Sequence, residues 1–251
     1  MRPWLSHPRR TVSNVRDLIV FDGDDTLWRV EHLYDDARER AAAIAADAGI
    51  DSDSWTQLQK NIDVANVATF GLSRFRFPHS SVLAYERAAT ELGITADNAI
   101  KERIRTAAAT VFDATAPLMP GALDVIAQLA HTHRLVLLTQ GDPVVQDKRI
   151  ADSGLDASFE IVRIVERKTE ASFSELLAQA QIAPQDAWSI GNSVPSDINP
   201  ALRLGMSAIW IETHVWAHER REGAPIAGRL SMCDSLRQIP AIVAACSALV
   251  R

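Results

Sequence analysis

Cysteine is scarce in this chain: only Cys233 and Cys246 occur among 251 residues. Two cysteines are too few for a disulfide framework or for a zinc site built from thiolates, and their scarcity predicts a reducing, cytoplasmic environment. Basic residues are also not in excess, because 26 Lys and Arg stand against 32 Asp and Glu, a net charge of -6. A protein that neutralises nucleic-acid phosphates usually has the opposite balance, so we expect no nucleic-acid partner.

Long hydrophobic runs are absent as well. No segment of the sequence approaches the roughly 18 unbroken apolar residues that a membrane-spanning helix needs. The arginines within residues 1–16 are not followed by the apolar run of a secretory signal. Hydrophobic residues still make up 47% of the chain, which is enough for a packed core. We therefore expect a globular protein with no membrane partner.

Short apolar runs predict the buried strands of a parallel sheet. Segments with helical spacing separate the last four of these runs, and this alternation is typical of βαβ units. The sequence therefore predicts an α/β fold with a doubly wound parallel sheet. The five predicted strands are Leu18–Phe21, Leu135–Leu138, Ile161–Val165, Trp188–Ile190 and Ala208–Ile211.

The interval between the first two predicted strands is too long for a single crossover, since it exceeds a hundred residues. Four stretches in it have helical spacing, and Pro117 and Pro120 follow them. We expect an α-helical domain over residues 29–114, inserted into a catalytic core formed by residues 1–28 and 115–251. The helical stretches are Tyr34–Gly49, Trp55–Val67, Ser80–Gly93 and Ala99–Phe112.

Polar residues follow four of the predicted strands. In open parallel sheets, the loops at the carboxyl ends of the strands converge on one crevice and bind the ligand there. Carboxylates, a hydroxyl and an ammonium group are thus expected to meet at one place. The four loops contain Asp22–Thr26, Thr139–Asp142, Glu166–Lys168 and Gly191–Asp197.

These groups suit phosphoryl transfer. Asp22 is expected to be ionised at neutral pH, so it can attack without a general base. Its approach to a phosphate costs roughly 4 kcal/mol for like charges about 4 Å apart at an effective dielectric constant of about 20. Mg2+ prefers carboxylate oxygens and removes this repulsion, and Asp22 and Asp197 are the natural pair to hold it. Lys168 and Thr139 would orient the phosphoryl oxygens. Asp24 would protonate the leaving alcohol and then deprotonate water.

The same residues resemble the motifs of the haloacid dehalogenase-like hydrolase superfamily, the aspartate-nucleophile phosphatases. The segment Phe21–Leu27 is similar to the first motif, with its nucleophile and, two residues later, its acid/base aspartate. Leu138–Gly141 is similar to the second motif and its phosphate-binding hydroxyl, and Lys168 to the third. The segment Gly191–Asp197 resembles the acidic, magnesium-binding fourth motif. The helical insertion matches the family's cap.

The resemblance implies a magnesium-dependent phosphatase that hydrolyses a small phosphorylated metabolite through an aspartyl-phosphate. It adds Gln140 and Gly141 as phosphate-binding residues, and Asp24 and Asn192 as further residues of the metal site. Asn192 is a departure, since the fourth motif commonly has an aspartate there, and its amide oxygen can still hold a ligand water. Dehalogenases of the family lack an acid at the position of Asp24, so its presence favours phosphate esters.

Three alternatives stay open at this point. A phosphomutase would use the same residues. A phosphate-binding protein with metal binding weakened at Asn192 would bind phosphate without turnover. A receiver-like signalling domain is disfavoured, because receivers are far shorter and lack the helical insertion.

Arg74 and Arg76, which lie among phenylalanines of the insertion, are candidate substrate contacts. We expect Ser193 to cap a helix and Asp25 to have a structural role. Finally, His214, His218 and Glu219 have the spacing of a helical zinc site, although such residues are usually on the surface.

Overall fold

The computed structural model describes residues 17–212 and 226–249. Over these ranges the strands form a six-stranded sheet with the order β3-β2-β1-β4-β5-β6, and every pair of neighbours is parallel. The predicted doubly wound α/β architecture is therefore confirmed. The strands are β1 Leu18–Phe21, β2 Arg134–Gln140, β3 Ile161–Val165, β4 Ala187–Gly191, β5 Ser207–Ile211 and β6 Arg229–Cys233.

Five of these strands match the predicted runs, and β6 was not predicted. The strand β6 lies at the edge of the sheet and its sequence, RLSMC, mixes polar with apolar residues. Only Cys233 of this strand is buried. Because β6 has no continuous apolar run, the pattern that identifies the other strands does not reveal it.

Helices cover both faces of the sheet. Along β1 the side chains alternate: Ile19 and Phe21 belong to a hydrophobic cluster with α5 and α9, whereas Leu18 and Val20 pack with α7. This alternation buries both faces of β1. The helices that follow the insertion are α5 Ala122–Ala130, α6 Pro143–Ser153, α7 Glu170–Ala180, α8 Asn199–Arg203 and α9 Ile239–Leu249.

Four helices lie between β1 and β2, and we refer to them as the helical insertion. They have a hydrophobic cluster of their own, which includes the buried residues Trp55, Tyr85 and Ile104. This cluster is separate from those that cover the sheet, and it supports the predicted division into core and cap, which stays a prediction. The four helices are α1 Glu31–Asp47, α2 Ser52–Phe70, α3 Arg76–Glu91 and α4 Asn98–Asp113.

Helix α3 begins at Arg76, four residues before the predicted start at Ser80. Pro78 is tolerated there because the first N–H groups of a helix have no intrahelical acceptor. Among the described residues, no helix is both long enough and apolar enough to cross a bilayer.

The chain order places a topological switch point between β1 and β4. From β1 the chain builds β2 and β3 on one side and then crosses to build β4 and β5 on the other. The residues after β1 and β4 are thus neighbours, and the Asp22 N–H donates to the Ile190 carbonyl at 2.9 Å. Ligands of open α/β sheets bind at such a point.

Candidate active site

Three charged side chains from three loops meet at the switch point. Asp22 follows β1, Lys168 lies between β3 and α7, and Asp197 lies in the helical turn Val194–Ile198 after β4. The Lys168 ammonium donates to Oδ1 of Asp197 at 2.6 Å and to Oδ1 of Asp22. All three residues are buried. The structure thus brings these three predicted site residues together.

The electrostatics of this cluster are those of two carboxylates that share one cation. Burial and the nearby Asp197 carboxylate raise the pKa of Asp22 to about 7. Although burial opposes it, Asp197 and Asp22 hold the pKa of Lys168 above its ordinary value. A single ammonium does not balance both carboxylates, so the cluster has a local excess of negative charge.

The donor set fits a hard cation such as Mg2+. The described residues contain no group of three or more His, Cys, Asp or Glu side chains that could hold a metal ion. Asp22, Asp197 and Asn192 supply only oxygen donors and line one cavity. Mg2+ is usually held by one or two carboxylates and keeps several waters, so two carboxylates beside an amide oxygen suffice.

Gly191 makes room for Asp197. A Cβ atom at Gly191 would collide with the Asp197 carboxylate. The carboxylate also accepts a hydrogen bond at its Oδ2 from the Ser193 N–H at 3.0 Å. Ser193 caps the turn as expected, because its side chain accepts from the Ser196 N–H. Asn192 is buried beside them, and its Oδ1 accepts from the Thr26 hydroxyl at 3.4 Å.

Asp24 is held by three donors, two of them on helix α6. The Gln146 amide donates to Oδ2 of Asp24 at 2.9 Å and Nη1 of Arg149 donates to the same oxygen at 2.5 Å. The Trp28 indole N–H donates to Oδ1 at 2.7 Å. Gln146 and Arg149 were not predicted from the sequence. The sequence does contain a signal for them: two long polar side chains three residues apart, on one face of a helix that begins just after the Thr139–Asp142 loop, can both reach the site.

The second predicted motif lines the same cavity. The buried Thr139 hydroxyl donates to Oε1 of Gln146 at 3.1 Å. The Gln140 side chain accepts at its Oε1 from the Lys168 N–H at 3.1 Å, which ties two of the loops together. Gly141 has a φ of 140°, a conformation that residues with a Cβ rarely adopt. These contacts give Thr139, Gln140 and Gly141 a place in the cavity wall.

The structure separates Arg74 and Arg76, which are predicted from the sequence to contact the substrate together. Arg76 is buried, forms a bidentate ion pair with Asp63 and lines the same cavity as Asp22. Arg74 instead stacks its guanidinium over the Phe75 ring, 5.2 Å from the centroid, and lines a neighbouring cavity. The pairing of Arg74 with Arg76 in one contact region is thus not supported by their positions.

The remaining predicted residues and two residues that were not predicted also have to be placed. Asp25 accepts hydrogen bonds from the N–H groups of Val30 and Glu31, as its predicted structural role requires. Tyr34 and Arg38 of α1 line the cavity and were not predicted. The predictions for His214, His218 and Glu219 concern positions outside the described residues.

Comparison with known proteins shows which proteins this chain is similar to. The family model for a haloacid dehalogenase-like hydrolase matches residues 16–205. A glyceraldehyde 3-phosphate phosphatase from Pyrococcus abyssi is 31% identical over 100 residues, which cover 38% of this chain and 42% of that protein. The match thus spans less than half the length of this relative.

Solved structures show the same fold at low identity. A haloacid dehalogenase-like family hydrolase from Xanthomonas campestris has a TM-score of 0.77 and 23% identity, covering 94% of this chain and 98% of that one. A HAD hydrolase from Bacillus subtilis bound to magnesium has a TM-score of 0.62 and 19% identity, with coverages of 92% and 99%. A 2-haloacid dehalogenase from Pseudomonas syringae has a TM-score of 0.60, 19% identity and the same coverages.

Proposed function

The chain belongs to the haloacid dehalogenase-like hydrolase family, and from this premise we propose that it is a Mg2+-dependent phosphatase. It hydrolyses a small phosphorylated metabolite through an aspartyl-phosphate. The observation that carries the proposal is the buried cluster of Asp22, Lys168 and Asp197 at the switch point of the sheet. The relative from Pyrococcus abyssi, a glyceraldehyde 3-phosphate phosphatase, supports a phosphorylated substrate.

Asp22 is the nucleophile in this mechanism. One of its carboxylate oxygens forms a bond to phosphorus while the bond from phosphorus to the ester oxygen breaks. Asp22, Asp197 and Asn192 would hold Mg2+, which when bound offsets the repulsion between the carboxylate and the phosphate. Lys168 and Thr139 orient the phosphoryl oxygens.

Asp24 is the acid and then the base. It gives a proton to the departing ester oxygen and later takes one from the water that attacks the phosphorus of the aspartyl-phosphate, which restores Asp22. Both oxygens of Asp24 accept hydrogen bonds in the structure. Among the described residues, Oδ1 accepts only the indole N–H of Trp28, whereas Oδ2 accepts two hydrogen bonds, so Oδ1 keeps the site at which a proton can be held for the ester.

The similarity to haloacid dehalogenase structures raises dehalogenation as a second candidate. Displacement of a halide needs no proton donor, whereas an alkoxide leaving group does. Asp24, with the donors that Gln146 and Arg149 supply, has a use in ester hydrolysis and none in carbon–halogen cleavage. A phosphomutase or a phosphate-binding protein would keep the same residues, and product analysis with a sugar monophosphate distinguishes both from a phosphatase.

The test is hydrolysis of an aryl phosphate with and without Mg2+. We expect turnover with Mg2+, none in excess chelator, and a phosphorylated protein by mass spectrometry after acid quenching. Asp22→Asn should lose both turnover and the phosphorylated species, while Asp156→Asn, at an exposed aspartate that does not line the cavity, should keep both. Equal turnover in chelator, or a phosphorylated Asp22→Asn protein, would contradict the proposal.

A further inference from the structure

A second cavity lies beside the active site, between the helical insertion and helix α6. Its volume is about 590 Å³, within the roughly 300–1,000 Å³ that is usual for small-molecule sites. Phe112 and Val145 line both cavities, whereas Asp22, Asp24 and Lys168 line only the first. A ligand in the second cavity would therefore lie next to the active site without contacting the proposed nucleophile, acid/base residue or lysine.

Apolar side chains form much of the wall of the second cavity. Phe70 ends α2, Phe75 precedes α3 and Phe112 lies on α4, so three aromatic rings border the same space. Phe75 on the insertion and Val144 on α6 are 64% and 58% exposed. An apolar ring that fills the cavity would remove these surfaces from water, which is favourable, and aromatic walls also pack well against a ring.

Basic residues are in excess around the second cavity. Among the described residues that line it, three are Lys or Arg and one is Asp. The active-site cavity has the opposite balance, with four Lys or Arg against seven Asp or Glu, and the whole chain has a net charge of -6. A local excess of positive charge on an acidic protein predicts a ligand with negative charge.

Arg74 is the cation with which such a ligand can pair. The other two basic residues of this wall already form ion pairs with carboxylates of their own helices. Among the described residues, Arg74 has no ion-pair partner: its backbone N–H donates to Asp142 and its guanidinium stacks over the Phe75 ring. Stacking uses the face of the guanidinium, whereas its N–H groups lie along the edge and match the two oxygens of a carboxylate.

We propose that the second cavity binds a small organic anion in which a carboxylate is attached to an apolar ring. The carboxylate accepts hydrogen bonds from the edge of the Arg74 guanidinium, and the ring packs among Phe70, Phe112 and Val144. The ligand contacts α6 on one side and the insertion on the other. This binding site is separate from the proposed phosphatase reaction and does not depend on it.

Three probes separate the two features of this ligand. Naphthalene-2-carboxylate has both the ring and the charge, 2-naphthylmethanol has only the ring, and acetate has only the charge. Isothermal titration calorimetry at constant ionic strength should give a dissociation constant below about 1 mM for the first probe. The other two should bind at least about tenfold more weakly, because each lacks one of the two contacts.

Variants locate the bound carboxylate. Arg74→Met should weaken the binding of naphthalene-2-carboxylate by at least about tenfold, with Arg74→Lys intermediate because an ammonium lacks the planar edge. Arg103→Met is the matched control, since Arg103 is exposed on α4 and lines neither cavity, and it should keep the affinity. Ala109→Phe, at a residue of the cavity wall, should abolish binding by filling the space. Thermal unfolding checks that each variant is folded.

Asp22→Asn distinguishes the two cavities. A probe in the second cavity should bind this variant with unchanged affinity, whereas a probe beside the Asp22 cluster should bind more tightly once a carboxylate is removed. Tighter binding to Asp22→Asn, unchanged binding to Arg74→Met, or equal binding of naphthalene-2-carboxylate and 2-naphthylmethanol would overturn the inference. None of these measurements requires turnover, so a failure of the proposed function is detected separately, by the aryl phosphate assay.

Discussion

Asp22 and Asp24 lie two residues apart but have different partners. Asp22 contacts the Lys168 ammonium in a buried cluster with a second carboxylate, whereas Asp24 accepts from an indole, an amide and a guanidinium. The sequence predicts two acids at one place, since Gly23 lets the backbone turn after β1. It does not reveal these partners, because Gln146 and Arg149 lie more than 120 residues further along the chain.

The role of Asp24 predicts a dependence on the leaving group. We expect Asp24→Asn to impair alkyl phosphates far more than aryl phosphates with acidic leaving groups, because only a basic alkoxide needs protonation. The plot of log kcat/KM against leaving-group pKa should become steeper in the variant. The same slope in wild type and Asp24→Asn would show that Asp24 does not protonate the ester oxygen.

Asn192 predicts weak binding of Mg2+. It is buried beside Asp197 and adds no charge where the fourth motif commonly has an aspartate. Asn192→Asp should lower the Mg2+ concentration for half-maximal activity by about tenfold if the added charge contributes roughly 1.4 kcal/mol. Turnover at saturating metal should change less. A Mg2+ titration of activity measures both quantities, and Asp197→Asn should nearly abolish activity. An unchanged midpoint in Asn192→Asp with activity retained in Asp197→Asn would mean that the metal site lies elsewhere.

At the scale of elements, helix α6 links the active-site loop to the insertion. The Asp142 side chain caps this helix by accepting from the Val144 N–H at 3.1 Å, and it also accepts from the Arg74 N–H at 3.2 Å. The same helix carries Gln146 and Arg149 to Asp24. The position of the acid/base residue thus depends on how α6 begins.

Removal of this cap should reduce both stability and activity. We expect Asp142→Ala to lower the free energy of unfolding by about 1 kcal/mol and also to lower kcat, because Gln146 and Arg149 lose their fixed positions. Asp51→Ala is the matched control, since Asp51 caps α2 through the Ser54 N–H at the surface. It should destabilise the protein and leave kcat unchanged. Chemical denaturation and steady-state kinetics test both variants, and equal kcat values for the two would contradict this coupling.

The elements also differ in how far the sequence predicts them. Apolar runs identify the largely buried strands β1, β2, β4 and β5, and also β3, an edge strand that is only partly buried. Helical spacing identifies the four helices of the insertion. The pattern does not distinguish Arg74 from Arg76, since two arginines in one loop look alike until α3 begins. Arg76 is oriented by its ion pair with Asp63 on α2, a contact between elements that no local pattern encodes.

At the scale of the whole molecule, strand order explains why residues far apart in the chain form one site. The order β3-β2-β1-β4 puts the loops after these four strands side by side, so that Lys168, Thr139, Asp22 and Asp197 face one cavity. The sequence predicts this convergence from the general rule for parallel sheets. The balance of charges within the cavity depends also on residues of the insertion that line it, and the sequence does not specify which residues these are.

The convergence of two buried carboxylates predicts that Mg2+ stabilises the folded protein. An ion that binds only the folded state adds about 2.7 kcal/mol to the free energy of unfolding when its concentration is 100 times its dissociation constant. Differential scanning calorimetry with Mg2+, and with sodium at equal ionic strength, should therefore show a Tm several degrees higher with Mg2+. Asp156→Asn should keep this shift and Asp197→Asn should lose it. If Asp197→Asn shows the full shift, Mg2+ binds away from the carboxylate cluster, because removal of one of two anionic ligands has to weaken a site that both form.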